Sequence, residues 1–207
     1  KIVVVMMFLV LLHMLGSNSA LEGSGVQRVE NSDGLPSIDE VTEGMQKIDG
    51  FLTLYWDEDG GDLWMEIPEL DREMIHYVGY GAGLGSNDLG IDRGALRGSR
   101  IVKFEKVGRK VLMVQPNYQF RAITENLSEV KAVEDAFARS VLWGFTAEGQ
   151  TGGRVLVNAT EFLLRDAINA AQRMQPGTYR LDDSRSSIYM GMTNSFPTNT
   201  EMEAELT

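Results

Sequence analysis

Apolar and polar residues alternate in short runs along most of the chain, and this alternation predicts strands. Phe51-Leu52-Thr53-Leu54-Tyr55-Trp56 is rich in the aromatic and β-branched side chains that suit a pleated, half-buried surface. Asp57 to Asp62 is an acidic turn containing two glycines, and Leu63-Trp64-Met65-Glu66-Ile67 returns from it. Residues 51–67 therefore predict a hairpin, which Pro68 ends. Pro68 to Arg72 suits one helical turn, and Met74 to Tyr80 predicts a third strand. Arg100 to Val107 alternates cleanly. Gly108-Arg109 supplies a two-residue turn with glycine first, and Lys110 to Gln115 pairs back. Tyr118 to Ala122 is a further extended piece. Ser140 to Ala147 and Arg154 to Asn158 flank the turn Glu148–Gly153, and Ser186 to Met192 is strand-like.

Helical spacing appears at three places. Ser37 followed by Glu40 has the capping-box spacing and opens a short helix. Over Ser128 to Ser140, the residues Val130, Val133, Ala136 and Phe137 recur on one helical face, with Ser128 as cap. Thr160 to Met174 predicts a second long helix, stopped by Pro176-Gly177. Hairpins in series with two inserted helices predict an α+β protein, mainly an antiparallel β-meander.

The N-terminus departs from this pattern. Lys1 is followed by an apolar run from Ile2 to Leu15, interrupted only by His13, and then by the small, polar Gly16-Ser17-Asn18-Ser19-Ala20. The run is shorter than the roughly 20 residues of a membrane-spanning helix and has the layout of a secretory signal peptide. Residues 1–20 are read as that signal, cut after Ser19 or after Ala20 and lying outside the fold; an uncleaved anchor is the other reading. Leu21 to Pro36 has linker composition. The expected division is signal peptide 1–20, linker 21–45, α+β domain 46–193, and the start of a following segment at 194–207. A start at Lys1 and an end on the alternating Met202–Thr207 are what a piece of a longer protein would present.

Composition narrows the classes. The 207 residues are 43% hydrophobic, enough for a real core, and carry a net charge of −11; losing Lys1 with the leader makes it −12. That balance opposes nucleic acid and anionic lipid as partners. No cysteine is present, which excludes a disulfide scaffold, a thiolate zinc site and a cysteine nucleophile. An exported chain without cysteine fits a bacterial periplasmic or secreted protein, with no membrane span once the signal is removed.

Candidate chemistry is thin, and no catalytic, cofactor-binding or metal-binding residue is assigned. Past the leader His76 is the single histidine, on an expected strand and without an H-E-x-x-H, so it reads as a structural or edge histidine. The acidic turn from Asp57 fails as a calcium loop, with Gly61 at position five and Pro68 at position twelve. In Gly79-Tyr80-Gly81-Ala82-Gly83-Leu84-Gly85-Ser86, serine stands where a dinucleotide fingerprint needs its last glycine, and no helix is expected to follow. The seven glycines of Gly79 to Gly98 predict a long loop, mobile or docked on a partner. No G-x-S-x-G occurs, and His76 is the lone candidate base. Tyr55, Trp56, Trp64, Tyr77 and Tyr80 form either a sugar platform or ordinary strand core. Asn126-Leu127-Ser128 and Asn158-Ala159-Thr160 are sequons, meaningful only in a eukaryotic secretory pathway. Arg93, in Asp92-Arg93-Gly94, is either a solvated charge or a planar fork that ties down the glycine-rich loop.

Several segments carry a family resemblance. They are Phe51–Trp56 with Leu63–Pro68, Gly90-Ile91-Asp92-Arg93-Gly94 before Val102-Lys103-Phe104, Ala132 to Phe145, Arg154–Asn158, Arg185-Ser186-Ser187 and Phe196-Pro197-Thr198-Asn199. In order and spacing, over roughly residues 46–207, the chain resembles the N-terminal region of large bacterial zinc-dependent metalloproteases, whose domain of unknown function precedes the peptidase domain. The resemblance implies a non-catalytic domain that positions or shields a peptidase domain beyond Thr207. That domain would hold the zinc and be this chain's partner, and a polypeptide would be the substrate. Ile91-Asp92-Arg93-Gly94 resembles a family run with leucine first, to which no role is assigned. The alternative is a stand-alone exported binding module for glycans or peptides.

Overall fold

In the computed structural model, which describes residues 2–10, 34–83, 90–174 and 176–207, short strands pair one after another into a single curled sheet. The strands are β1 (Ile2–Val10), β2 (Gln46–Ile48), β3 (Thr53–Asp57), β4 (Asp62–Ile67), β5 (Met74–Ala82), β6 (Leu96–Val107), β7 (Lys110–Gln115), β8 (Ser140–Thr151), β9 (Arg154–Asn158), β10 (Ser187–Ile188), β11 (Asn194–Ser195) and β12 (Asn199–Leu206). Their order is β10-β12-β1-β5-β6-β7-β8-β9-β4-β3-β2, with β11 also on β12, and every pairing is antiparallel. The helices are short: α1 (Ile38–Val41), α2 (Leu127–Ala136), α3 (Thr160–Leu163) and α4 (Ala170–Arg173).

This corrects the expected α+β class to a mostly antiparallel β architecture. The main reason lies in 160–174, where the expected helix is two single turns. Asp166 takes the two backbone N–H groups of Ala170 and Ala171 at 2.7 and 2.9 Å, and Asn169 sits in the left-handed region at φ 53°. A side chain that competes for backbone donors starts a new turn rather than continuing the old one. Asp166→Ala is expected to destabilise the chain by about 1 kcal/mol, the usual loss of a helix cap, measured by thermal unfolding. The expected strand over Ser186–Met192 shrinks to Ser187–Ile188, and Tyr118–Ala122 forms no strand.

The hairpins follow the alternation. β3 and β4 pair from Thr53↔Glu66 to Asp57↔Asp62, and β6 and β7 close on Val107↔Lys110, with Gly108 at φ 58° in the turn. The two twelve-residue strands each change partner part-way. β6 pairs with β5 through Leu96–Val102 and with β7 through Lys103–Val107; β8 pairs with β7 up to Thr146 and with β9 from Ala147. Register shifts at Tyr77/Gly79, Met113/Val114 and Ala147/Gly149 mark bulges, which bend and twist a sheet. The concave side holds the main core, where Phe8, Phe104, Phe145 and Phe162 gather, α3 delivering Phe162 from outside the sheet.

Three boundaries shift. The run expected outside the fold, Ile2–Val10, is strand β1, paired with β5 on one side and β12 on the other. Of the expected linker 21–45, residues 21–33 lie outside the described residues; Leu35 and Ile38 beyond them are buried, and Ser37 and Glu40 make the capping box of α1. Residues 194–207 supply β11 and β12 and belong to the same sheet rather than to a following unit. Their anchor is buried: Leu52 N–H donates to Thr200 Oγ1 at 2.9 Å, and Ser195 Oγ donates to Leu52 O at 2.7 Å. A Cβ on Gly50 would come within 2.6 Å of Ser195 backbone, so only glycine lets the two segments meet.

Candidate binding cleft

β7 and β8 are joined by an insertion, residues 116–139, that leaves the sheet, forms α2 and returns. Asn126 rather than Ser128 caps α2, accepting from Ser128 N–H at 3.0 Å. The stripe expected to face a core, Val130, Val133, Ala136 and Phe137, does not reach one: no residue of α2 is buried. The insertion instead encloses a cleft of about 710 Å³ against the outer face of β6, floored by Lys103 and Glu105 and walled by Phe120, Val130, Val133 and Phe137. Lys103 and Glu105 alternate with Val102 and Phe104, whose side chains fill the core on the opposite face. A second hollow of about 400 Å³, lined by Arg100, Gln115 and Asn117 among others, adjoins it through Pro116, Tyr118 and Ala138.

The charged groups on the floor of the cleft are paired. Lys103 Nζ lies 3.0 Å from both Asp71 and Glu105, and Arg139 also pairs with Glu105. Burial works to raise the Glu105 carboxyl, but Lys103 and Arg139 outweigh it and hold it below the ordinary range. This cluster of four orients its side chains, and its two carboxylates are engaged by cations rather than free to act as acid or base. The apolar groups are the unsatisfied ones. Phe120 and Phe137 stack with ring centres 4.2 Å apart, while Ile123 and Leu127 stand 92% and 81% exposed, with Tyr118 and Val141 also exposed. Sequence reasoning misses Ile123 and Leu127, which lie before the expected helix start at Ser128; the signal is a large apolar residue in a polar stretch.

The other sequence candidates separate. His76 is 4% exposed, its ring 4.9 Å from Phe8 and 5.9 Å from Phe162, and its Nε2 has no hydrogen-bond partner. Burial pushes it down to about 3, the Arg165 and Arg100 charges adding to the fall, so it is neutral at physiological pH. Arg165 lies over the rings of Phe162 and Trp143, at 4.7 and 5.0 Å, and donates to Phe162 O. The five aromatics form no platform. Tyr55 and Trp64 pair across β3 and β4 on the α1 side, Trp56 and Tyr80 pack into the main core, and Tyr77 lies half-buried on β5 between Met7 and Ser99. Tyr55 belongs to a buried network: its hydroxyl donates to Glu66 at 2.7 Å, and Arg154 donates to the other Glu66 oxygen at 2.7 Å.

The acidic turn is held by itself. Asp57 accepts from Gly60 N–H, and Gly61 takes φ 72°. Among the described residues no three metal-ligating side chains converge. In the glycine stretch, Gly79 to Ala82 form the end of β5, and Leu84 to Ser86 lie outside the described residues. Ile91 is fully buried, and Asp92-Arg93-Gly94-Ala95 is a turn closed by Ala95 N–H to Asp92 O, with Gly94 at φ 77° where a type II turn calls for glycine. Arg93 is exposed, and its charge opposes the rise that burial and Glu201 impose on the Glu203 carboxyl. The arginine that ties this loop down is Arg97, which donates to Gly90 O and lies 5.8 Å over the Tyr80 ring. Of the sequons, Asn126 caps α2 and Asn158 accepts from Thr160 N–H at the start of α3.

A family model for a domain of unknown function, DUF5117, matches residues 94–207, which include the whole cleft and β12. No curated protein and no solved structure matches the chain. Among the described residues no helix is long and apolar enough to cross a membrane.

Proposed function

We propose, for a chain that belongs to the DUF5117 family, a non-catalytic role: it is a module of an exported bacterial zinc-dependent metalloprotease that positions or shields the peptidase domain. The observation that carries this reading is the insertion. A protein of net charge −11 that leaves Ile123, Leu127, Tyr118 and Val141 in water around an aromatic-walled cleft has a surface suited to a neighbouring domain. The resemblance of Phe51–Trp56, Gly90–Gly94 and Phe196–Asn199 to the region before such peptidase domains supports the identity of that neighbour, which would carry the zinc. The signal-like Lys1–Ala20 supports export to the periplasm or beyond. A stand-alone peptide-binding module is the competing reading; the glycan version of it loses its motive with the separation of the five aromatics.

Amide exchange over residues 117–141 decides between them. In the full exported protein this segment is expected to exchange at least tenfold more slowly than in the isolated 207-residue chain. Ile123→Asp with Leu127→Asp is expected to abolish the difference while leaving the melting temperature of the isolated chain unchanged. Equal exchange in the two proteins would sink the docking role.

A further inference from the structure

The place of β1 in the sheet is hard to reconcile with a leader that leaves. Ile2–Val10 is not at an edge. Residues Val3–Val10 pair with Met74–Ala82 of β5, and Ile2–Leu9 pair with Asn199–Leu206 of β12, so removal of residues 1–20 would open a slot one strand wide in the middle of the sheet.

Both walls of that slot are held without β1. β5 keeps its ladder to β6. β12 keeps β10 and β11, the Leu52–Thr200–Ser195 contacts, Phe51 N–H to Phe196 O at 2.7 Å and Asp182 N–H to Thr207 O at 2.8 Å. Two facing rows of unpaired backbone groups would remain, which is a template for one more strand. The slot also has a required side-chain pattern. Met6 and Phe8 are fully buried and alternate with the partly exposed Met7 and Leu9, and Phe8 packs on His76, Phe104 and Phe162. Its direction is set as well: Ile2 lies opposite Leu206, so the slot begins beside the end of β12 and runs antiparallel to it. A chain continuing from Thr207 through a tight turn enters there with the polarity β1 has, as a hairpin does.

We propose that in the exported protein this slot is filled by the polypeptide following Thr207, folded back on β12 as a hairpin, in the place that Ile2–Val10 takes in the 207-residue chain. The inserted strand carries apolar side chains at every second position, with a large one over His76. The proposal rests on the reading of this chain as an exported module followed by more of the same protein.

The test compares the full exported protein with its truncation to residues 21–207. The probe is a fluorescent peptide of residues 2–10 with lysines added at both ends for solubility; amide exchange is read over Met74–Ala82 and Asn199–Leu206. The full exported protein is expected to protect both segments and to ignore the probe. The truncation is expected to lose at least tenfold protection in both and to regain it on binding the probe, but not a probe with Phe8→Asp. If the truncation does not fold alone, refolding it beside each probe gives the same comparison, and failure of the wild-type probe to restore the fold overturns the proposal. Equal binding of the probe by both proteins overturns it too, because the strand then comes from another molecule. So does an unprotected β5 in the full exported protein. N-terminal sequencing of the exported protein checks the leader separately: retention of residues 1–20 overturns the leader reading, whatever the exchange data show.

Discussion

Replacing Phe162 by alanine is expected to lower the unfolding free energy by about 3–5 kcal/mol, the range for truncating a fully buried phenylalanine. Its ring is completely buried and sits 5.3 Å from Phe145, 5.8 Å from Trp143, 5.9 Å from His76 and 6.5 Å from Phe8, with the Arg165 guanidinium 4.7 Å away. Those neighbours come from β8, β5 and β1, strands fixed by their own ladders, so they cannot collapse far into the hole. Arg165 would also lose one of the two rings that cover its charge. The measurement is urea unfolding of the 207-residue chain. The midpoint should fall with little change in slope, and Phe162→Leu should recover more than half of the loss. A loss below about 1 kcal/mol would mean that α3 does not close the concave side of the sheet.

Acid is expected to destabilise the same chain through His76. The unfolded imidazole takes a proton below its ordinary value of 6.5, whereas the folded one refuses it until about 3. Between those values the unfolded state binds more protons, so stability falls as the pH drops; above 6.5 neither state is protonated and nothing changes. The slope is about 1.4 kcal/mol per pH unit, hence about 2 kcal/mol between pH 6.5 and 5. His76→Phe should flatten this part of the profile. Glu105, Asp182 and Glu40, with carboxyls held low, lose their stabilisation only nearer pH 4, and buried Glu203, with its carboxyl raised, works the other way. The difference between wild type and His76→Phe isolates the histidine. Parallel profiles for the two proteins from pH 7 to 5 would show that the folded state admits the proton.

Local pairings are legible in the sequence because both partners and the turn lie side by side. The 51–67 hairpin and the β6–β7 pair need only alternation and a suitable turn. Distant pairings are not: nothing in Leu63–Ile67 names Val155–Asn158 as its neighbour. The helical content is misjudged at Thr160–Met174, where Phe162, Leu163, Ala170 and Ala171 favour a helix but Asp166 turns the chain by capping a second one. Ile2–Val10 is ambiguous by nature. A run of valines suits a strand as well as a leader, and the choice between them turns on Lys1 and the small residues after Leu15 rather than on the run. The cleft is invisible in advance for a related reason: helical spacing at Val130, Val133 and Phe137 announces a buried face, and only the topology shows that no element covers it.

The buried contacts of Leu52 bear on the order of folding. Its N–H and C=O are satisfied by Thr200 and Ser195, 148 and 143 residues further along the chain. The β3–β4 hairpin can therefore form early, as hairpins do within microseconds, yet its flank stays raw until Ser195 and Thr200 have arrived. A ribosome or an export channel releasing this chain from its N-terminus would hold that flank open until the intervening residues up to Thr200 have emerged. Closing a loop of this size is slow compared with local pairing, and an open flank of Phe51, Leu52 and Leu54 is a point of association between nascent chains. Closure of this flank is thus a late event that waits for β11 and β12, and residues 50–56 stay open to holding factors until then.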